Sequence, residues 1–388
     1  MNDTLQELMR AATRLTHAGR LNEATQAIQR ALGGAAGAGA APRATNAHAG
    51  ATDLGASWNV APTTQPLVLD GCVFEVDARA PAANESGTGQ FSSGTHTHAG
   101  LTRRYKLYTP PGHVGRQLPL VVMLHGCTQD PDDFAAGTGM NEHARTQGFF
   151  VLYPEQSQNA NPSRCWNWFK HNHQRRGSGE PALLASLTQA VMKQHGMDAR
   201  RIFIAGLSAG GAMAALVAAA YPEIFAAVGV HSGLPGGAAQ NVAEALAVMK
   251  SGVAGAQAQA GRFGTAPTAP TQQQATPTIV FHGDQDQTVH PRNGEQVIAA
   301  VLASAAGADA SHTFPAGTAR VEHGVSAQGR RYTRSTQLGD KGNILTEHWL
   351  LHGAGHAWSG GQANGSYTDA KGPDATHEML RFFFGQLD

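Results

Sequence analysis

The sequence predicts an α/β fold: a mostly parallel central sheet with helices on both faces, preceded by a short helical hairpin and a flexible linker. Three observations predict it. Short, β-rich, fully apolar runs recur along the chain, as expected for strands buried on both faces. Segments with helical periodicity lie between several of them, the alternation of a sheet sandwiched by helices. The chain has 388 residues, 41% of them hydrophobic, enough for one large domain with appendages.

At the N-terminus, Leu5, Leu8, Met9, Ala12 and Leu15 recur at helical spacing, and so do Leu21, Ala24, Ala27, Ile28 and Leu32. A helical hairpin over 1–32 is expected. Its second half looks like half a tetratricopeptide unit, but no second copy follows, so no repeat array is predicted. Residues 33–65 are Ala/Gly-rich and too poor in apolar surface to order themselves, the composition of a linker. The main domain, 66–388, opens with "LVLDGCVFEV" and "RRYKLYTP", expected as leading antiparallel strands. The buried strands are "LPLVVMLHG", "FFVLYPE", "RIFIAGLS", "AAVGVHSG" and "PTIVFHGD". Helices are expected near 132–146, 181–195 and 209–221. A low-complexity stretch, about 255–277, reads as a surface insertion.

Bulk composition removes several classes of partner. Basic and acidic residues balance at 28 each, so neither nucleic acid nor an anionic membrane surface is implied. No apolar run reaches transmembrane length. The N-terminus lacks the basic and apolar regions of a secretory signal, so a cytosolic start is expected. Three cysteines, Cys72, Cys127 and Cys165, make no disulfide scaffold. The pairs His96/His98 and His171/His173 lack an accompanying carboxylate or cysteine cluster, and no metal site is expected.

Chemistry in such sheets gathers beyond the carboxyl ends of the strands. There, "RIFIAGLSAGGAMAALVAAA" carries Gly206-Leu207-Ser208-Ala209-Gly210 between a strand and a helix. G-x-S-x-G at that junction suits a nucleophile elbow, a tight strained turn on which the serine stands exposed. Alone the motif also fits a plain glycine-rich turn. "LHGCTQD" ends an earlier strand, where backbone N–H groups can face an oxyanion; Cys127 and Ala209 are the expected donors. "HGDQDQTVHP" supplies two carboxylates able to orient a histidine. Asp286 is favoured, and Asp284 is expected to stabilise the turn through its own backbone. "HWLLHGAGHAWSGG" supplies His352, expected to be structural, and His356, on a small-residue loop with room to face a serine. The chain order Ser208, Asp286, His356 is that of α/β-hydrolases.

Together "LHGCTQDPDDFA", "SRCWNWF", "GLSAGGAMA", "VFHGDQDQTV" and "GHAWSGG" resemble the poly(3-hydroxybutyrate) depolymerase family of esterases, related to feruloyl and acetyl-xylan esterases. The resemblance covers roughly residues 100–388. It implies an α/β-hydrolase fold, serine ester hydrolysis of 3-hydroxyalkanoate-type substrates and no cofactor. By matching motif it implies Ser208 as nucleophile, Asp286 and His356 as its partners, and Cys127 at the oxyanion hole. It also pairs Cys127 with Cys165 in a disulfide, at odds with a cytosolic start but in keeping with exported relatives. Trp166 and Trp358 are the expected substrate contacts, with packing the alternative for Trp166. The short stretch after His356 leaves no room for a polymer-binding domain, so soluble oligomers or small esters are expected over insoluble polymer. The alternatives are a feruloyl or acetyl-xylan esterase and, in another class, a non-catalytic α/β-hydrolase that binds a hydrophobic polymer or partner.

Overall fold

Each of the five apolar runs forms a strand at the centre of one sheet. The computed structural model describes residues 87–253, 275–306, 319–339 and 342–386. The hairpin 1–32, the linker 33–65, the strand expected over 67–76 and most of the 255–277 insertion lie outside the described residues.

The strands are β1 (Gln90–His98), β2 (Leu101–Thr109), β3 (Leu120–Leu124), β4 (Phe150–Pro154), β5 (Ile202–Leu207), β6 (Ala227–His231), β7 (Thr278–Gly283), β8 (Arg320–Val325), β9 (Arg331–Leu338) and β10 (Ile344–Leu351). They form one sheet in the order β1-β2-β4-β3-β5-β6-β7-β10-β9-β8. From β4 to β10 every pairing is parallel, while β1, β2, β8 and β9 extend the two edges antiparallel. A second, two-stranded sheet pairs β11 (Trp358–Ser359) with β12 (Thr368–Asp369).

The helices are α1 (Pro131–Thr138), α2 (Met140–Gln147), α3 (Gly179–His195), α4 (Ala209–Ala220), α5 (Val242–Ser251), α6 (Arg292–Ala306) and α7 (Ala375–Phe384). The helix expected over 132–146 is two, because Gly139 takes a left-handed φ of 63° and ends the first. Strand alternation divides the core between the two faces. Leu120, Val122, Ile204, Val230 and Val280 pack with Leu184, Met213, Val217 and Val297 of α3, α4 and α6. Val121, Met123, Phe203, Ile279 and Phe281 pack instead with Phe134, Met140, Met379 and Phe383 of α1, α2 and α7. With strands so anchored on both faces, the loops at their carboxyl ends have a rigid base.

Candidate active site

Ser208 follows β5, Asp286 follows β7 and His356 follows β10, all at the carboxyl edge of the parallel strands. The serine is the residue before α4 and holds φ 58° and ψ −119°. Left-handed backbone is costly for a residue with a Cβ and persists only where the surroundings impose it. Here the close backbone approach that the glycines of the motif permit imposes it. A Cβ on Gly210 would lie 2.1 Å from the Leu124 carbonyl oxygen, and one on Gly206 would lie 2.4 Å from the Gly210 carbonyl carbon. The elbow is pressed directly onto the end of β3.

Asp286 and His356 are brought together. His356 Nδ1 donates to Asp286 Oδ2 at 2.7 Å, which leaves Nε2 as the basic nitrogen. Asp286 Oδ1 accepts the Thr288 and Val289 N–H groups at 2.9 and 2.8 Å. Burial pushes this carboxyl up, but the His282 and His356 rings and the Val289 N–H outweigh burial and hold it well below the usual carboxylate range. Asp286 is therefore an anion fixed against the imidazole. The third link is not made: among the described residues the Ser208 hydroxyl has no hydrogen bond. Such contacts are often long without substrate and tighten in the complex.

The other acid–histidine pair corrects one expectation. Asp284 does not brace its own turn. It accepts the Gly353 N–H at 2.7 Å and pairs with His352 Nδ1 at 3.0 Å, tying the end of β7 to the end of β10.

Among the described residues the backbone N–H groups of Cys127 and Ala209 donate to no protein acceptor. The loop around Cys127 is held on every side. Thr128 N–H donates to the Ser163 carbonyl at 2.7 Å, and Gly126 N–H to Gln129 Oε1 at 2.9 Å. Cys127 is disulfide-bonded to Cys165, with the Cα atoms 4.2 Å apart. Closing that loop removes about 4 kcal/mol of chain entropy from the unfolded state in the loop-closure account.

Neither tryptophan offers a substrate a surface, which corrects the expected wall. Trp166 is 0% exposed and donates its indole N–H to the His125 carbonyl at 3.1 Å. Trp358 is 1% exposed and packs edge-on against Phe134 while its N–H reaches Thr376. Both are packing residues because their polar handles are satisfied inside the protein. His96 bonds Ser186, and among the described residues no three His, Cys, Asp or Glu side chains gather to hold a metal ion.

Two buried polar residues hold the site, and sequence reasoning missed both. His231 lies at the end of β6, stacked between Phe281 and Trp358. Its carbonyl accepts the Ser208 N–H at 2.8 Å, and its Nε2 accepts the Ser359 N–H at 2.9 Å. One residue thus joins the elbow to the loop that carries His356. Burial, then the neighbouring His282, lowers its pKa from 6.5 to about 3, so the ring stays neutral. Its share of stability is complete above about 6.5, where the unfolded histidine is also neutral, and is lost as pH falls towards about 3. The urea midpoint should fall over that window, and His231→Phe should flatten the fall even though it leaves Ser359 N–H unpaired.

The second is Glu180 in the first turn of α3, 0% exposed. It accepts from Gln156 at 2.6 Å, from the Asn167 backbone and side chain at 2.7 and 2.8 Å, and from Arg103 at 3.2 Å. It thereby anchors the Cys165–Asn167 segment, which the disulfide joins to the Cys127 loop. A lone Glu or His in an apolar context was the only sequence signal for either residue.

The family model described as esterase PHB depolymerase matches residues 103–324. The chain belongs to that family. Within it, poly(3-hydroxyalkanoate) depolymerase C of Paucimonas lemoignei is 31% identical over 202 residues, 52% of this chain and 48% of that protein. Acetylxylan esterase A of Emericella nidulans is 28% identical over 199 residues, 47% of this chain and 61% of its own length. The match thus spans less than two thirds of either relative. The structure of an acetyl xylan esterase from Aspergillus awamori superposes with a TM-score of 0.51 at 19% identity, covering 73% of this chain and 94% of that one. The PHB depolymerase-family chain has the α/β-hydrolase fold, with the elbow, acid and histidine loops at the edge where that fold carries its chemistry. No helix among the described residues is long and apolar enough to cross a membrane.

Proposed function

We propose that the chain is a serine carboxylesterase acting on 3-hydroxyalkanoate-type esters, with Ser208 as nucleophile, His356 as general base and acid, and Asp286 as its orienting anion. The observation that carries the reading is the serine held at φ 58° between β5 and α4, on the same strand edge as the bonded Asp286–His356 pair. His356 Nε2 takes the hydroxyl proton as Ser208 Oγ attacks the ester carbonyl. The Cys127 and Ala209 N–H groups bind the oxyanion, each worth about 3 kcal/mol in the transition state. The proton passes to the departing alcohol, leaving an acyl-serine. Water, deprotonated by the same nitrogen, releases the acid and restores the hydroxyl.

Likeness to a poly(3-hydroxyalkanoate) depolymerase supports the substrate class, and likeness to acetylxylan esterases supports acetyl esters of xylan as the second reading. The deciding experiment compares release of 3-hydroxybutyrate from its soluble oligomers with release of acetate from acetylated xylan and of ferulate from methyl ferulate. Faster oligomer cleavage is expected. Faster acetate or ferulate release would move the assignment to a carbohydrate esterase. No turnover of any ester, with no labelling of Ser208 by a fluorophosphonate, would leave a binding protein.

A further inference from the structure

With both tryptophans buried, the aromatic surface near the site falls to another residue. Tyr367 is 46% exposed and is the aromatic among the large apolar side chains exposed in the described residues. It belongs to the segment leading into β12. Its carbonyl accepts the backbone N–H of Trp358 at 2.7 Å, two residues beyond His356. Its hydroxyl lies 3.1 Å from Thr128 Oγ1, which itself donates to the Cys127 carbonyl at 2.6 Å. Tyr367 therefore ties the segment after His356, through its backbone, to the Cys127 loop, through its hydroxyl.

The backbone adds a second, independent observation. Tyr367 has φ 52° and Thr128 has φ 67°. At such angles glycine sits without strain and a side chain does not. Holding a large ring there costs stability that a glycine would spare, and the hydroxyl contact with Thr128 fixes how the ring stands. The ring's exposed area is not used in core packing.

We propose that Tyr367 is a specificity-determining residue whose ring lies against the acyl chain of a bound ester and favours chains longer than acetyl. This rests on the esterase reading above. Tethered beside the loop of the oxyanion donors, the exposed ring offers an apolar face to methylene groups that acetate lacks.

The test measures kcat and KM for p-nitrophenyl butyrate and p-nitrophenyl acetate in the wild type and in Tyr367→Gly, Tyr367→Asn and Tyr367→Phe. Glycine and asparagine both accept the left-handed backbone, so these variants delete the ring while sparing the fold. Two methylene groups held against an apolar face are worth about tenfold in affinity. The butyrate-to-acetate ratio of kcat/KM should therefore fall about tenfold in the glycine and asparagine variants, mainly through KM for butyrate. Tyr367→Phe keeps the ring but loses its tether to Thr128, so the ratio should fall less than in the glycine and asparagine variants. A ratio unmoved by deletion, with kcat lowered equally for both esters, would mean that Tyr367 only braces the loops and would overturn the inference. An active wild type with an unmoved ratio sinks this inference alone. A wild type inert to both esters and unlabelled at Ser208 sinks the esterase reading and this inference with it.

Discussion

Ser208→Ala is expected to lower kcat for ester hydrolysis by about 10⁴-fold or more while leaving a folded protein. Alanine keeps the Cβ, so the backbone strain at φ 58° is unchanged and thermal unfolding should match wild type closely. What is lost is the only oxygen at the elbow able to form the acyl intermediate. Residual turnover then rests on the Cys127 and Ala209 N–H groups and on substrate binding. Ser208→Gly separates the two properties of the position: it should be equally inactive but more stable, by about 1 kcal/mol, because glycine relieves the strain. Substantial activity in either variant would remove Ser208 from the chemistry. A glycine variant no more stable than the alanine one would mean that the turn stores no strain.

Glu180→Ala is expected to cost about 3–5 kcal/mol at neutral pH, the largest stability effect among the site's supporting residues. The reason is Arg103, whose side chain is 6% exposed and whose charge would be left buried without its carboxylate partner. The Gln156 and Asn167 donors would lose their acceptor at the same time, each adding the penalty of an unsatisfied buried group. Acid supplies an internal control. Burial pushes the Glu180 carboxyl up, but the His173 ring and the Gln156 and Asn167 donors prevail and lower it from 4.5 to about 2. A depressed folded pKa gives stability that is complete above about 4.5 and is lost as pH falls towards about 2. Urea unfolding at several pH values should show the wild type and the variant far apart at neutral pH and converging in acid. A gap independent of pH would show that Glu180 contributes through packing alone.

Much of the site was legible because its constraints are local. The elbow needs small residues wherever backbone crosses backbone, and Gly206 and Gly210 mark those crossings within five residues of sequence. The parallel strands were legible for a similar reason: burial on both faces removes alternation and leaves apolar runs such as Leu120–Leu124, buried along their whole length. The edges were not. β8 and β9 were missed because strands with solvent on one side are built from residues such as Arg320, Glu322 and Arg334, and β8 is mostly exposed. β1 is similar, with only His96 buried among its nine residues.

Asp286 and Asp284 are two residues apart in one motif; motif spacing favoured Asp286 but did not show which loop either side chain would meet. The difference is which loop each meets: Asp286 meets His356, and Asp284 meets His352 and Gly353. The tryptophans were misread for a related reason. A sequence places Trp166 and Trp358 beside site motifs, but whether a ring faces solvent or core depends on helices far along the chain, such as α7 for Trp358.

By itself the sequence determined the fold class and the order of the parallel strands' elements along the chain, and it singled out the serine, acid and histidine on which the proposal rests. Apolar runs, glycine spacing and motif order are short-range consequences of burial and backbone sterics. Only the tertiary structure decided which aspartate faces which histidine, which aromatic ring is exposed, and that His231 and Glu180 hold the loops from inside. Those are contacts between segments far apart in the chain, and their identity depends on how the sheet brings strand ends together.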